Sequence, residues 1–400
     1  MSRLITDSVH IIENDQDAIN AAYQVADFAL EGRNHRDQNR LLPFDEIQLF
    51  SQKGLGGLRI PKKYGGAYVS NQTLAQVFRI INKADSSLGQ IPQNQIALLN
   101  MIDLMGTDAQ KEFIFTEILQ GKRLANGGPE KNTQNTKTLN TTLTIENGRY
   151  FIQGQKFYST GSRFADWLAI KAIHPDGHVV LTLIYRDAQG VEVIDDWDGF
   201  GQRTTSSGTV ILNQVEIDPF LIFDERLLAD KANYRGAFSQ LLQVAIDVGI
   251  AEAAFADTLT TIKKARPIED AHVEQASFEH YTLQEVGKSN VLLDAAILLL
   301  DEAAAYLDEL DRLDHVTDEQ AARASILVAE AKIYANDAAL HISEKLLELG
   351  GSRSSLNIHN LDQHWRNARV HTLHDPIRWK FHALGDYYLN HKFPARHAWI

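Results

Sequence analysis

The sequence predicts an α+β protein in which a helical domain, a β domain and a bundle of long helices follow one another. Helical periodicity dominates residues 1–121, and short alternating segments separated by turn residues dominate residues 122–230. Long apolar stripes at helical spacing return over residues 231–400. With 400 residues, 44% of them hydrophobic and 23% charged, the chain is long enough to form two or three such units.

Capping residues and apolar spacing predict the helices of the first domain. Asn14 is placed to cap the first helix, because an asparagine side chain can accept hydrogen bonds from the first backbone N–H groups of a helix. Pro43 is suited to open a second helix and Gly54 to end it. Helical spacing of apolar residues recurs at 74–82 and 95–105. We therefore expect a helical N-terminal domain.

Turn residues divide the second domain into short strands. Asn147-Gly148 and Pro175-Asp176-Gly177 are typical of tight turns between antiparallel strands. Residues 179–185, which follow the second turn, are rich in β-branched and aliphatic side chains. These features predict a β-sandwich or barrel over residues 122–230.

The third domain contains helices that are longer than those of an average globular protein. Thr317 and Gln320 are spaced as a capping box at the start of one of them, and Gly350-Gly351 is suited to end it. The apolar stripes follow a helical period without a sustained heptad, which favours a packed bundle over a coiled coil. A long four-helix bundle is therefore expected over residues 231–400.

Composition excludes several classes of function. A net charge of −13 argues against a nucleic-acid-binding surface. The absence of cysteine excludes disulfides, a thiolate nucleophile, cysteine-ligated zinc and iron–sulfur clusters. No apolar run is long enough to span a membrane, and residues 1–7 lack the apolar core of a signal peptide. Together these features predict a cytoplasmic protein with neither nucleic acid nor membrane as a partner.

The segment 365–376 carries the strongest chemical signal. His371 and His374 stand three residues apart, about one helical turn, so both rings can face one pocket. Pro376 disfavours helical geometry at Asp375, which puts His374 near a helix end. Histidine titrates near neutral pH, so this pair suits proton transfer, although two histidines without a chemical role are the alternative. A metal site is not expected, because the adjacent residues 374 and 375 point in different directions.

Three further segments, in this order and spacing, resemble the acyl-CoA dehydrogenase superfamily over essentially the whole chain. They are Gly57 to Gly66, Gly154 to Gly161, and Gly199 to Gly208. The resemblance implies an acyl-CoA dehydrogenase-like fold with a flavin between the β domain and the C-terminal bundle. It also implies a homo-oligomer, either a dimer or a tetramer.

The residues after the second histidine indicate a branch of that superfamily. Acyl-CoA dehydrogenases commonly have a catalytic glutamate followed by glycine, where this chain has Asp375 and Pro376. A shorter carboxylate on a rigid backbone is poorly placed to remove a proton from a bound thioester. The ending instead resembles the flavin-dependent monooxygenases related to dibenzothiophene monooxygenase. Segments 89–94, 194–197 and 394–399 most resemble the bacterial sulfur-acquisition oxidoreductases.

This branch implies a two-component monooxygenase that acts on a small organosulfur compound with reduced FMN and oxygen. The sequence has neither a Gly-x-Gly-x-x-Gly nor a Walker motif, so a separate flavin reductase would supply the reduced FMN. FAD is possible as the cofactor. Two alternatives remain: an FAD-dependent acyl-CoA dehydrogenase-type oxidoreductase, and a flavin-binding homo-oligomer without catalysis.

The resemblance also implies catalytic roles for four residues. His374 is expected to handle the proton, while His371 orients it or contacts substrate. Thr160 aligns with a hydroxyl that can donate to the flavin or its activated oxygen, although it could simply bond to backbone at a strand end. Asn126 resembles an asparagine that faces the flavin, although Asn-Gly-Gly is also a common turn.

The remaining site residues bind cofactor or substrate in the same scheme. Arg266 and Arg353 resemble phosphate-binding arginines, and Arg266 is expected to act across a subunit boundary; two surface arginines are the alternative. Relatives commonly have histidine where this chain has Gln95, and an amide cannot titrate. The remaining cofactor-binding residues implied are Tyr158, Ser159 and Trp197, and the substrate-pocket residues implied are Gln95 and Phe157, with core packing as the alternative for the aromatic rings.

Overall fold

The computed structural model describes residues 8–135, 138–229 and 232–400. Residues 1–7 and the domain boundary expected at 230/231 lie outside the described residues. Within these ranges, six α-helices precede eight β-strands, and five further α-helices follow. This arrangement confirms the predicted fold class and its order of helical, β and helical parts.

The six helices before the sheet begin largely at the residues that sequence chemistry predicts. Asn14 caps the first of them by accepting a hydrogen bond of 3.0 Å from the backbone N–H of Asp17. Pro43 precedes the second, and Gly54 after it has a left-handed φ of 75°. Their bounds are α1 (Asp15–Asn39), α2 (Phe44–Gln52), α3 (Asn71–Ala84), α4 (Ser86–Gln90), α5 (Gln93–Met105) and α6 (Asp108–Leu119).

The β domain is a single mixed sheet in which the strand order is β6-β7-β3-β2-β4-β5-β8, with β1 parallel to β4. Asn147 and Gly148 both have positive φ, as the predicted tight hairpin between β2 and β3 requires. The strands are β1 (Leu124–Gly127), β2 (Thr142–Glu146), β3 (Arg149–Lys156), β4 (Trp167–Ile173), β5 (Val179–Tyr185), β6 (Val191–Ile194), β7 (Thr209–Ile217) and β8 (Ile222–Asp224).

Side-chain alternation along β4 gives the sheet two apolar faces. Trp167 and Ala169 pack into one core with Phe115 of α6, which attaches the sheet to the N-terminal helices. Leu168 and Ile170 belong to a second core formed by the strands themselves. The sheet is therefore anchored on one side, and the loops at its edge are free to line a site.

Three long helices form the centre of the C-terminal part: α7 (Arg235–Ile262), α8 (His280–Leu310) and α9 (Asp318–Gly350). The predicted capping box of Thr317 and Gln320 is present at the start of α9. By length and composition α7 could cross a membrane, but 83% of its apolar window is buried inside the protein, as in a core helix. Two shorter helices, α10 (Asp362–His371) and α11 (Arg378–Asn390), complete this part.

Helix α7 also packs closely against α3 of the N-terminal domain. A Cβ atom on Gly249 would lie 2.7 Å from the Cβ of Asn82 and 2.9 Å from the backbone oxygen of Arg79. Glycine is needed at this crossing because no larger residue fits without moving a helix backbone. The N-terminal domain and the C-terminal bundle are consequently in direct backbone contact.

Candidate active site

A cleft of about 1190 Å³ lies between the loops of the sheet and the last two helices. On the sheet side it is lined by the segments around Asn126, Thr160 and Gln202. On the other side it is lined by α10, α11 and the chain that follows them to Ile400. This volume is larger than that of a typical small-ligand pocket, so it can hold a flavin ring together with a second small molecule.

Seven of the residues singled out from the sequence come together in this cleft. They are Asn126, Phe157, Tyr158, Thr160, Trp197, His371 and His374. Their convergence is notable because the chain separates the first and last of them by most of two domains. Four other predicted residues, Gln95, Ser159, Arg266 and Arg353, do not line it.

His371 is the most completely organised of these groups. Its ring is 1% exposed, and its Nδ1 lies 2.5 Å from Oδ1 of Asp247 on α7. Lys332 of α9 donates to the other oxygen of the same carboxylate at 2.7 Å. Because an ionised carboxylate only accepts, Nδ1 of His371 must carry a proton. Its Nε2 is buried and has no hydrogen-bond partner among the described residues.

Burial and charge fix the protonation of this group. Burial lowers the pKa of His371 and outweighs the Asp247 carboxylate, which alone would raise it. Burial would raise the pKa of Asp247, but Lys332 and His371 reverse this and lower that pKa. The stable arrangement is therefore an ionised Asp247 and a neutral His371. In that state Nε2 of His371 is a lone-pair acceptor at the wall of the cleft.

The structure corrects one prediction about the two histidines. Helix α10 ends at His371, and His374 lies in the turn that follows, where its backbone N–H bonds to the oxygen of His371 at 3.0 Å. The two residues therefore do not share a helical face, because α10 ends four residues before Asp375, although both line the same cleft. The His374 side chain is 41% exposed, and its Nδ1 lies 3.8 Å from Oδ1 of Asp375.

Asp375 lines the cleft, but its carboxylate is held in a buried ion pair and is not a free base. Its Oδ2 lies 3.0 Å from Nζ of Lys380 on α11. Burial would raise the pKa of Asp375, but His374, Lys332 and Lys380 reverse this and lower it well below the usual range. This carboxylate is therefore ionised and neutralised by a fixed cation.

Lys380 also fixes the chain that follows α11. Its ammonium donates to the backbone oxygen of Trp399, and to Oε1 of Gln240 at 3.1 Å. The amide nitrogen of Gln240 in turn donates to the backbone oxygen of Ala398 at 3.0 Å. These bonds hold residues 393–400 against α7, where Trp399 and Phe393 line the cleft. No local pattern in the sequence signals these contacts, since the partners are far apart in the chain.

Thr160 is the first of a row of hydroxyl groups along the wall of the cleft. Its Oγ1 lies 2.7 Å from Oγ of Ser207, which lies 2.7 Å from Oγ1 of Thr205. Thr205 in turn contacts the backbone oxygen of Gln202 at 3.0 Å. All three hydroxyl-bearing residues are buried. The sequence identified this segment only as a family motif, without the contact to Thr160.

Gln202 and Trp197 form the adjacent part of the wall. The indole Nε1 of Trp197 donates to the backbone oxygen of Gln202 at 2.8 Å. The Gln202 side chain is 1% exposed, and neither atom of its amide has a hydrogen-bond partner among the described residues. A buried amide without partners is costly, so this one is suited to a ligand that offers both a donor and an acceptor.

Gln95 is placed differently from its expected position in the substrate pocket. Its Nε2 donates to the backbone oxygen of Gly56, and its Oε1 accepts from the backbone N–H of Leu124, both at 3.0 Å. The side chain is buried away from the cleft and joins the N-terminal domain to β1. Both ends of the amide are used, so it is a structural cross-link in this chain.

The remaining predicted cofactor residues lie elsewhere in one protomer. Ser159 is fully buried behind the wall. Arg266 and Arg353 are exposed beyond the C-terminal ends of α7 and α9, which meet where Gly350 packs on Thr261. The fifteen residues from Asp247 to Ile262 rise about 22 Å along α7. Neither arginine therefore belongs to the cleft of its own protomer.

Two family models match this chain. The N-terminal domain of acyl-CoA dehydrogenase matches residues 15–122, and the C-terminal domain matches residues 241–379. The dibenzothiophene monooxygenase of Mycolicibacterium goodii is 30% identical over 365 residues, which cover 88% of each chain. The chain belongs to the acyl-CoA dehydrogenase family, in the branch that contains the dibenzothiophene monooxygenases.

Two solved structures have the same fold across almost the whole chain. FMN-bound TdsC from Paenibacillus sp. A11-2 is 29% identical with a TM-score of 0.91, covering 96% of this chain and 100% of TdsC. Methanesulfinate monooxygenase MsuC from Pseudomonas fluorescens is 27% identical with a TM-score of 0.88, covering 96% and 99% of the two chains. Both likenesses span all three parts of the fold.

Proposed function

We propose that this protein is a flavin-dependent monooxygenase that uses reduced FMN and oxygen to oxidise the sulfur atom of a small organosulfur compound. One oxygen atom forms a bond to sulfur, the other leaves as water, and reduced FMN provides the two electrons. The observation that carries the proposal is the neutral His371 at the cleft, with Nδ1 on Asp247 and Nε2 left for a ligand. Its relatives of known activity include monooxygenases, and one structure contains FMN.

The residues of the cleft fit an FMN ring. The amide of Gln202 offers a donor and an acceptor, which is the complement of the imide edge of the ring. Trp197 and Tyr158 present aromatic surface to the same space. Bound there, reduced FMN would supply the electrons that activate oxygen.

The protein's own contribution is to hold and move a proton in a water-poor space. His371 offers Nε2 as an acceptor, and Asp247 prevents the ring from exchanging its tautomer. Lys332 keeps Asp247 ionised and His371 neutral. His374 is exposed enough to exchange a proton with solvent, so we assign it the transfer of protons in and out of the cleft.

The C-terminal wall would exclude water and receive the substrate. Trp379, Phe393 and Trp399 line the part of the cleft that faces away from the sheet. Apolar and aromatic surface there favours binding of a weakly polar sulfur compound. It also protects the reacting groups from side reactions with water. Phe157, on the sheet side, extends this surface.

An acyl-CoA dehydrogenase activity is the less favoured alternative. It would need a free carboxylate near Asp375, which is instead buried and paired with Lys380. A flavin-binding protein without catalysis would not require the ordered pair of Asp247 and His371.

The proposal includes a cytoplasmic location, a separate flavin reductase and a homo-oligomer. Cytoplasmic reductants suit a chain without cysteine, and the absence of a dinucleotide motif calls for an external source of reduced FMN. Arg266 and Arg353 lie too far from their own cleft to bind its cofactor, so we assign them to the phosphate group in a neighbouring subunit of a dimer or tetramer.

The test is turnover with chemically reduced FMN, labelled oxygen and a panel of aryl and alkyl sulfides, sulfoxides and sulfones. We expect one labelled oxygen atom per product, and protein that is nearly colourless as purified. H374A should abolish oxygenation and retain FMN binding, while H315A, in the exposed loop between α8 and α9, serves as the matched control. Absence of labelled product with every compound, or unchanged turnover in H374A, would contradict the proposal.

A further inference from the structure

The row of hydroxyl groups that begins at Thr160 has one direction in which all of its contacts are hydrogen bonds. It contains three contacts, from Thr160 to Ser207, from Ser207 to Thr205, and from Thr205 to the backbone oxygen of Gln202. Each hydroxyl has one proton, and the carbonyl at the end has none. If each of the three contacts is a hydrogen bond, all three hydroxyl protons are used within the row.

The carbonyl determines the orientation of each proton in turn. Thr205 must donate to Gln202, because a carbonyl oxygen only accepts. Ser207 must then donate to Thr205, and Thr160 to Ser207. The reverse direction would leave the Thr205 hydroxyl facing the Gln202 carbonyl at 3.0 Å without a proton between them, and a mixed direction would do the same at a 2.7 Å contact. The proton of Thr160 is consequently used in the bond to Ser207, and its remaining lone pair is left for a ligand of the cleft.

This result reverses the role expected for Thr160 from the sequence. The family resemblance implied a hydroxyl that donates to the flavin, whereas the contacts leave it only able to accept. The hydrogen-bonding character of flavin N5 depends on the redox state of the ring. N5 has a lone pair when the ring is oxidised and carries a proton when it is reduced.

On the basis of the proposed function, we propose that the Thr160–Ser207–Thr205–Gln202 row makes Thr160 a hydrogen-bond acceptor that selects reduced over oxidised FMN. Reduced FMN offers an N–H to this oxygen, and oxidised FMN meets it lone pair to lone pair. The row therefore favours loading of reduced cofactor and release of oxidised cofactor. Ser207 and Thr205 are positioning residues, because they act through Thr160.

The test compares the affinities of each variant for oxidised and for anaerobically reduced FMN. In S207A the proton of Thr160 loses its acceptor and can turn to the cleft, so oxidised FMN should bind more tightly. We expect the preference for reduced FMN to fall about tenfold. The midpoint potential of bound FMN should shift by about 30 mV to more negative values, the two-electron equivalent of tenfold.

A second variant and matched controls separate this effect from a structural one. T205V frees the proton of Ser207 to donate to Thr160, so it should reduce the same preference, while S207T and T205S should preserve it. S162A removes a nearby buried hydroxyl that bonds to Ser206 outside the row, and should leave the preference unchanged.

Two results would overturn the inference. An unchanged ratio of the two affinities in both S207A and T205V shows that the row does not direct Thr160. An equal loss of both affinities shows a merely structural role. If the unmodified protein binds neither form of FMN, the proposed function fails together with the inference, whereas normal turnover with an unchanged ratio rejects the inference alone.

Discussion

Asp247 determines which nitrogen of His371 faces the cleft. Both groups are buried, so neither can exchange its partner with water. The carboxylate holds the proton on Nδ1, and Lys332 supplies the positive charge that makes a buried carboxylate tolerable. The chemistry of one buried lone pair at the wall of the cleft thus depends on Asp247 and Lys332, which do not line the cleft.

We predict that D247N lowers the rate of oxygenation about 100-fold or more. Losses of this size are typical when a general base presents the wrong nitrogen to its substrate. The asparagine amide can donate to Nδ1 of His371 and leave the proton on Nε2, facing the cleft. Steady-state turnover with reduced FMN measures the loss. FMN affinity should change little, and a parallel loss of FMN affinity would contradict a role confined to proton position.

The pH dependence of the K332M variant tests the same arrangement. This variant changes the pKa of His371, whereas D247N changes which of its nitrogens carries the proton. Burial is the main cause that lowers the pKa of His371, and Lys332 lowers it further, so removal of Lys332 should raise that pKa. Protonation of His371 removes the acceptor, so the acid limb of the rate profile should move to higher pH. K288M, at an exposed lysine of α8, is the control. A profile that stays in place would exclude His371 as the titrating group.

Among the elements, the segment 393–400 is the one that closes the cleft on its far side. Lys380 and Gln240 hold it through the backbone oxygens of Trp399 and Ala398, so these bonds do not involve the side chain of Trp399. Trp399 can therefore be changed without releasing the segment. This separation makes the wall a suitable place to test water exclusion.

We expect W399A to uncouple oxygen consumption from product formation, because a smaller side chain admits water to the reacting groups. Product formed per oxygen consumed should fall about twofold or more, with hydrogen peroxide as the balance. R396A, on the same segment but paired with Asp318 outside the cleft, should keep the original ratio. Equal coupling in both variants would show that Trp399 does not exclude water.

Sequence reasoning succeeded where the signal was local. The caps at Asn14 and Thr317 and the hairpin at Asn147-Gly148 are encoded within a few residues, and the structure contains all three. It failed where partners are distant. Asp247 lies 124 positions from His371, and Gln95 bonds to Gly56 and Leu124. No periodicity or spacing signals such contacts, so the acceptor nitrogen and the structural amide both required coordinates.

At the scale of the whole molecule, the positions of Arg266 and Arg353 favour a cofactor site that is shared between two subunits. Both are exposed at the end of the bundle opposite to the cleft. Exposed arginines with no charge to bind contribute little to the stability of a protomer. A neighbouring copy would give them a partner in its cofactor phosphate.

Co-expression of two impaired variants, assayed at an FMN concentration too low to saturate R266A, tests this arrangement. We predict that R266A weakens FMN binding about tenfold, which is the usual effect of losing one charge-assisted hydrogen bond. Co-expression of R266A with H374A should recover part of the activity. A mixed oligomer contains one cleft with an intact His374 and an intact Arg266 from the other subunit. The pair R266A and R353A is the control, because neither subunit supplies both arginines. Failure of the first pair to recover would place Arg266 outside the neighbour's site.

The backbone contact at Gly249 decides how a substrate can enter. Because α7 and α3 touch there without room for a side chain, moving the two helical parts apart would break a close backbone contact. We therefore expect substrate to enter over the rim of the cleft between the loops of the sheet and α11. The width of the entrance at that rim, more than the volume of the cleft, then limits the size of the sulfur compounds that the enzyme accepts.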